Sequence, residues 1–241
     1  MINYGLLGLL MGLSSCGIYR QNVVNAPLLQ QKGHTQISGH NSFSGLEVQA
    51  AYALTKKLAV LANYGDMGTK IENSNNNYFN KHSFKEFGAG LYQKRETGRI
   101  REAFLMVGKG TSERTRIRPD STGKSLSGKA SYNRFALQAD FGNTKKKLEH
   151  ALSPRLLGVH YSNIVDNTRS DYKDLSNFHI YAEGAVTLRY NLLNFLQITG
   201  QFCATLPLIR SGGGYNYYYD FSPFNLGIGL LFNINLSKPV N

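Results

Sequence analysis

Near its C-terminal end the chain reads Leu-Gly-Ile-Gly-Leu-Leu-Phe-Asn-Ile-Asn-Leu, and the alternation within this segment is strict. Leu226, Ile228, Leu230, Phe232, Ile234 and Leu236 fall on one face; Gly227, Gly229, Leu231, Asn233 and Asn235 fall on the other. A period of two is the side-chain period of a β-strand and leaves a helix without an apolar stripe. The eleven residues also match the length a tilted strand needs to cross the hydrocarbon core of a bilayer.

The same pattern recurs along the chain. Leu46, Val48, Ala50, Tyr52 and Leu54 alternate with Glu47, Gln49, Ala51 and Ala53. Leu58, Val60, Ala62 and Tyr64 share a face, as do Ala103, Leu105 and Val107 opposite Glu102 and Met106. Phe135, Leu137, Ala139 and Phe141 oppose Arg134, Gln138 and Asp140, and Leu157, Val159 and Tyr161 oppose Gly158 and His160. The even-numbered residues from Phe178 to Tyr190 oppose His179, Glu183 and Arg189, and Leu196, Ile198, Gly200, Phe202 and Ala204 oppose Gln197, Thr199 and Gln201. None of these apolar faces carries a charge. A basic side chain turned to lipid near the midplane costs roughly 2–4 kcal/mol, so the avoidance has a physical cause. A soluble barrel or sandwich would also alternate, with its apolar face turned inward. The mixture of charged residues with Gly and Ala on the polar face fits a narrow, filled lumen instead. Tyr64, Phe141, Tyr161, Phe178 and Tyr190 end the apolar faces, where interfacial girdles occur.

The fold expected is therefore all-β: a closed, antiparallel, up-and-down transmembrane β-barrel. Ten strands are read, at 33–39, 46–54, 58–66, 83–92, 100–109, 130–142, 150–162, 178–190, 194–206 and 224–236. Eight is the alternative, because the first segment is weak. Short connections (residues 55–57, 94–98, 142–147 and 190–194) alternate with long ones (67–82, 110–129, 163–177 and 207–223). Bacterial barrels keep short turns on the periplasmic side, and an even strand number puts both barrel termini there.

The net charge of +12 raises nucleic acid as a partner. The basic residues form no single stripe, however. They cluster between strands, at Lys56-Lys57, Lys94-Arg95, Arg99, Arg114, Arg116, Arg118 and Lys145-Lys146-Lys147. That distribution suits anionic membrane surfaces, and no nucleic-acid partner is expected.

Residues 4–13 form a short apolar core followed by Leu13-Ser14-Ser15-Cys16, which reads as an export signal rather than a structural helix. The tetrapeptide resembles a lipobox, the site at which bacterial lipoproteins are cleaved and acylated on cysteine. The expected division is a signal at 1–15, an extended lipid-anchored leash at 16–32, a barrel at 33–237 and a tail at 238–241. Pro27 keeps Ala26 out of helix. Cys203 is the only other cysteine, so no disulfide framework is implied.

After the cysteine come Asn25-Ala26-Pro27-Leu28, then Lys32-Gly33, then Ala51-Tyr52-Ala53-Leu54-Thr55. This succession resembles a family of Bacteroidota outer-membrane β-barrel lipoproteins. The resemblance covers about forty residues and implies architecture and location, not chemistry. In that phylum, surface-exported lipoproteins typically carry acidic residues just after the cysteine. Gly17-Ile18-Tyr19-Arg20 has none, which implies an anchor in the periplasmic leaflet.

Candidate functional residues follow from the faces. Glu47, Glu102, Arg134, Asp140, Glu183 and Arg189 point to a lumen polar network, read first as charged filling, since small barrels are packed with side chains and buried charges must pair. A narrow small-solute channel is one alternative. Another is an outer-membrane enzyme, an acyl hydrolase or protease, using His160 with Ser162 or His179 opposite Glu183. No metal motif or cofactor pattern is present: the chain lacks H-E-x-x-H, C-x-x-C and EF-hand spacings. Tyr215, Tyr217, Tyr218 and Tyr219, with Arg114, Arg116 and Arg118, are candidate outer-loop contacts to a partner protein, a glycan or lipopolysaccharide. The reading is an outer-membrane lipoprotein barrel, non-enzymatic, acting as a structural or interaction component.

Overall fold

The computed structural model describes residues 19–73, 76–117, 126–166, 175–210 and 223–235. Ten antiparallel strands close into one barrel, each paired with its neighbour in sequence and β10 returning to β1. In order they are β1 (His34–Ser42), β2 (Gly45–Ala53), β3 (Leu58–Asn73), β4 (Asn76–Lys94), β5 (Arg99–Ile117), β6 (Leu126–Asn143), β7 (Leu148–Asp166), β8 (Leu175–Asn191), β9 (Leu196–Arg210) and β10 (Phe224–Asn235). The ten-strand reading holds over the eight-strand alternative, and closure removes the unpaired edges that an open sheet would expose.

The apolar faces point outward. Leu46, Leu105, Leu137 and Ile228 are between 53% and 69% exposed, while Gln49, Glu102, Gln138 and Gln201 on the opposite faces are at most 4% exposed. A water-soluble barrel has the reverse arrangement, so this is the surface of a membrane-spanning barrel. On β5 the belt runs from Arg101 to Lys109 through Ala103, Leu105 and Val107, all exposed. Eight steps at about 3.4 Å, tilted by about 40°, give a height of about 21 Å, close to the apolar band of known membrane barrels.

Strand seven corrects the sequence reading. Leu157, Val159 and Tyr161 face the lumen and are at most 4% exposed, whereas Leu148, Leu152 and Leu156 face out. Both faces of this strand are apolar, so alternation alone does not set its register. The inward set is held by an aromatic cluster in the lumen, described below. Tyr161 therefore leaves the girdle, while Tyr64, Phe141, Phe178 and Tyr190 remain on the outer surface at 41–54% exposure.

The strands also run past the belt. β4, β5 and β7 are nineteen residues long, so much of the expected long connections is sheet. Arg114 and Arg116, expected in an outer loop, lie instead in β5, opposite Gly128 and Leu126 of β6. Backbone pairing continues there, above the height at which lipid enforces alternation. Arg118 and Tyr215, Tyr217, Tyr218 and Tyr219 lie outside the described residues.

The wall is uneven in height. β1 and β2 are only nine residues each and turn through Phe43 and Ser44. Gly45 makes that turn possible: its φ is +106°, and a Cβ there would lie 2.5 Å from Met67 Cβ. The short turns at 54–57, 95–98, 144–147 and 192–195 share the opposite rim, where Lys56, Lys57, Arg95, Lys145, Lys146 and Lys147 form an exposed basic collar.

Candidate functional site

Residues 20–29, without regular secondary structure, run through the barrel from one rim to the other. At the long-connection rim, Arg20 donates to the Phe43 carbonyl at 3.4 Å and contacts Met67 Sδ at 3.1 Å. At the short-turn rim, Gln30 N–H donates to His34 Nδ1 at 3.2 Å, Lys94 donates to Gln30 Oε1 at 2.8 Å, and Gly33 N–H donates to the Ala53 carbonyl. Within the stretch 16–32 expected as a leash between anchor and barrel, residues 20–29 fill the lumen. Between residues 19 and 29 only Arg20 escapes full burial.

An extended backbone inside a barrel has peptide groups that no neighbouring strand can satisfy, and leaving one buried and unpaired costs about 1–3 kcal/mol. Lumen side chains take the place of a partner strand. Glu47 accepts Val23 N–H on both oxygens at 3.0 Å. Gln201 accepts from Val24 N–H at 2.6 Å and donates to the Val24 carbonyl at 2.8 Å, while Gln49 donates to the Val23 carbonyl at 2.7 Å. Gln138 donates to the Asn25 carbonyl at 2.8 Å, and Arg189 donates to the carbonyls of Ala26 and Pro27. Asn225 and Ser44 both donate to the Gln21 carbonyl.

Glu102 makes the tightest bend possible. Its two oxygens accept from Leu28 N–H at 2.9 Å and Leu29 N–H at 2.7 Å. Leu28 has φ +53°, a left-handed conformation that costs a non-glycine residue about 1–2 kcal/mol. Two successive N–H groups curled about one carboxylate make an anion-binding concavity that offsets this strain. Leu28 and Leu29 are fully buried, and the wall is hollowed to receive the plug. A Cβ at Gly142 would overlap Leu28 Cδ2, and one at Gly227 would lie 2.7 Å from Val23 Cγ2. We expect Gly142→Leu to displace the plug while leaving the barrel closed. Proteolysis of folded protein would then cut within 20–31, a cleavage that wild type resists; unchanged resistance would refute the fit.

The six lumen residues named from sequence divide by task. Glu47, Glu102 and Arg189 hold the plug backbone directly. Arg134 donates to Glu86 through Nε at 2.7 Å and to Asn22 Oδ1 at 2.5 Å, and its guanidinium lies 5.1 Å from the Phe84 ring. Glu183 pairs with Arg155 at 2.5 Å and accepts from Tyr19 OH at 2.8 Å. Asp140 accepts from Gln138 at 3.0 Å and so acts on the plug through that amide. Glu86 and Arg155, the partners in these two ion pairs, were missed by the sequence reading. Glu86 was legible from the alternation with Phe87, Ala89 and Leu91; Arg155 was hidden by the reversed register of strand seven.

Above the plug an aromatic ladder crosses the tall side of the lumen. Tyr19 stacks on Tyr181 at 4.9 Å, His179 stacks on Tyr181 at 6.1 Å, and Tyr161 meets His179 edge-on at 5.3 Å. Tyr132 continues the ladder from Tyr161 and bonds His82 Nε2 at 2.8 Å. His179 is thus part of aromatic packing. His160 lies opposite Asn133 and Phe178 on the outer face. Among the described residues no group of three or more His, Cys, Asp or Glu side chains is arranged to hold a metal.

No protein-family model matches the chain, and no curated protein matches it in sequence. Among solved structures it is similar to the translocator domain of autotransporter NalP from Neisseria meningitidis, at 10% identity over 84% of this chain and 87% of that one, with a TM-score of 0.47. It is also similar to OmpT, an outer membrane protein of Vibrio cholerae, at 10% identity over 87% of this chain and 100% of that one, with a TM-score of 0.28. At this distance the chemistry of the lumen rests on the residues of this chain alone.

Proposed function

We propose that the chain is an outer-membrane barrel closed by its own N-terminal segment, and that it serves as a structural or interaction component rather than a conduit or an enzyme. One observation carries this reading: the carboxylates, amides and guanidinium groups that a channel would turn toward solute are bonded instead to the backbone of residues 21–29. The apolar belt and the short turns gathered on one rim suit the outer membrane, with that rim in the periplasm. The other rim, with Arg114, Arg116 and the connections beyond them, is the surface we assign to a partner protein, a glycan or lipopolysaccharide.

The reading includes the anchor at Cys16, with its position revised. A periplasmic-leaflet anchor follows if the N-terminal segment stays on the side where β1 begins. Here that segment doubles back through the lumen, and Arg20 sits against Phe43 on the far rim. Chain geometry allows at most about 3.5 Å per residue, so an acylated Cys16 would reach no further than about 14 Å from Arg20. The rim is lowest at this point, and Phe43 is 66% exposed on its outer side. Acyl chains on Cys16 would enter the outer leaflet there. Passage through the lumen would also explain how an N-terminus without acidic residues after the cysteine comes to lie outside.

The test places one epitope tag after Gly17 and, in a separate strain, another in the turn at 144–147. Intact cells should bind antibody in the first strain and not in the second. Antibody access only at 144–147 would invert the orientation, and access at neither would refute the outward path of the N-terminus.

A further inference from the structure

On the outer wall, where the apolar belt of β4 and β5 ends, one line of register partners crosses six strands. Strand register aligns Tyr64, Lys85, Lys109, Asn133, His160 and Phe178 in succession. The rung below is lipid-facing, with Phe87, Val107 and Phe135 each more than half exposed. The rung above carries Ser83, Thr111, Ser131 and Ser162, with Asp66 at its β3 end. Lys109 ends the apolar belt on β5, so this cationic and hydroxyl-rich centre sits at the height where hydrocarbon gives way to headgroups.

Lys85 and Lys109 are directly opposite on adjacent antiparallel strands. Like charges so placed, with Cβ atoms about 5 Å apart, destabilise a sheet unless something neutralises them. The rung itself offers no carboxylate. One rung beyond the hydroxyls, Glu113 is already flanked by Lys81 and Lys129, and Asp66 lies opposite Ser83 rather than either lysine of the pair. Both lysines line a surface cavity of about 400 Å³, together with Ser83, Thr111, Ser131 and Asn133. Ser83 and Thr111 already share a hydrogen bond of 3.0 Å across its floor. The short side chains of that upper line leave the space, and two lysine ammonium groups carry six N–H donors between them.

We propose that this cavity binds the phosphate of a membrane lipid headgroup, with Lys85 and Lys109 as its cationic pair and the hydroxyls and Asn133 as neutral donors. The lipid tails then lie along Phe87, Val107 and Phe135 on the rung below. The inference rests on the membrane placement of the belt and is independent of Cys16.

The test uses the full chain reconstituted in nanodiscs of phosphate-free glycolipid, with and without a small fraction of lipid A bearing monoester phosphates. Bound lipid is counted by native mass spectrometry after release into detergent. Wild type should retain lipid A, and Lys85→Gln with Lys109→Gln should weaken retention by about tenfold to a hundredfold, the range expected on losing charge-assisted hydrogen bonds. Lys81→Gln with Lys129→Gln should retain it as wild type does. Equal retention by the Lys85/Lys109 variant, or equal retention of dephosphorylated lipid A, would overturn the site. Displacement by millimolar inorganic phosphate would make it a soluble-anion site and overturn the lipid assignment. Failure to enter any nanodisc would instead refute the membrane placement, so the two failures are distinguishable.

Discussion

A chain lacking residues 19–31 will conduct ions. Single-channel recording should show no resolvable steps for the intact protein and discrete openings for the deletion, provided that both give the same heat-modifiable folded band. The plug is held by polar groups of the wall, so its loss frees those groups to line a water-filled path. Among the described residues the buried lumen wall carries six carboxyl groups (Glu47, Glu86, Glu102, Asp140, Glu149 and Glu183) and three guanidinium groups (Arg134, Arg155 and Arg189). An excess of carboxylates in a pore favours cations, so the reversal potential under a salt gradient should lie on the cation side. Added synthetic peptide spanning 19–31 should close the openings. A folded deletion variant that stays silent would show that the wall part of the aromatic ladder, from Tyr181 to Tyr132, seals the barrel without the plug.

The second large effect concerns Arg134. This side chain is 1% exposed, pairs with a fully buried Glu86 carboxylate and reaches Asn22 of the plug. Arg134→Met removes the cation and leaves a carboxylate in the interior with Asn63 as its remaining donor, at 2.9 Å. Breaking a buried pair in this one-sided way costs about 3–5 kcal/mol. Denaturant unfolding in detergent should register that loss. Adding Glu86→Gln to the same chain should recover a large part of it, because the stranded charge is gone. If the double variant is no more stable than the single, the interaction with Asn22 rather than the ion pair dominates.

The barrel was legible because lipid imposes a rule on every second residue, and β10 obeys it from Leu226 to Ile234. Where that rule lapses, the reading lapsed with it. The upper halves of β4 and β5 lie beyond the apolar belt, so nothing in Asn80 to His82 or Gly110 to Glu113 distinguishes strand from loop. On β7 two apolar faces compete, and only the neighbours across the lumen decide between Leu156 and Leu157. The charged lumen residues were identifiable by face, but not their partners. A carboxylate such as Glu102 has the same appearance in a sequence whether it answers a guanidinium or two peptide N–H groups. The plug itself, residues 20–29, has no period for a pattern to reveal; its course is written in the hollows at Gly142 and Gly227 and in the donors that surround it.

That course constrains how the molecule can be made. The plug precedes every strand in the chain, yet its bonds come from β2, β5, β6, β8, β9 and β10. The cage that holds it is incomplete until the last strand docks on the first. Residues that precede every strand in the chain are therefore ordered last. A finished barrel, its lumen lined with buried side chains, offers no opening through which this segment could afterwards be drawn. The sheet must close around a segment already in place, so that threading the plug and closing the barrel become a single event.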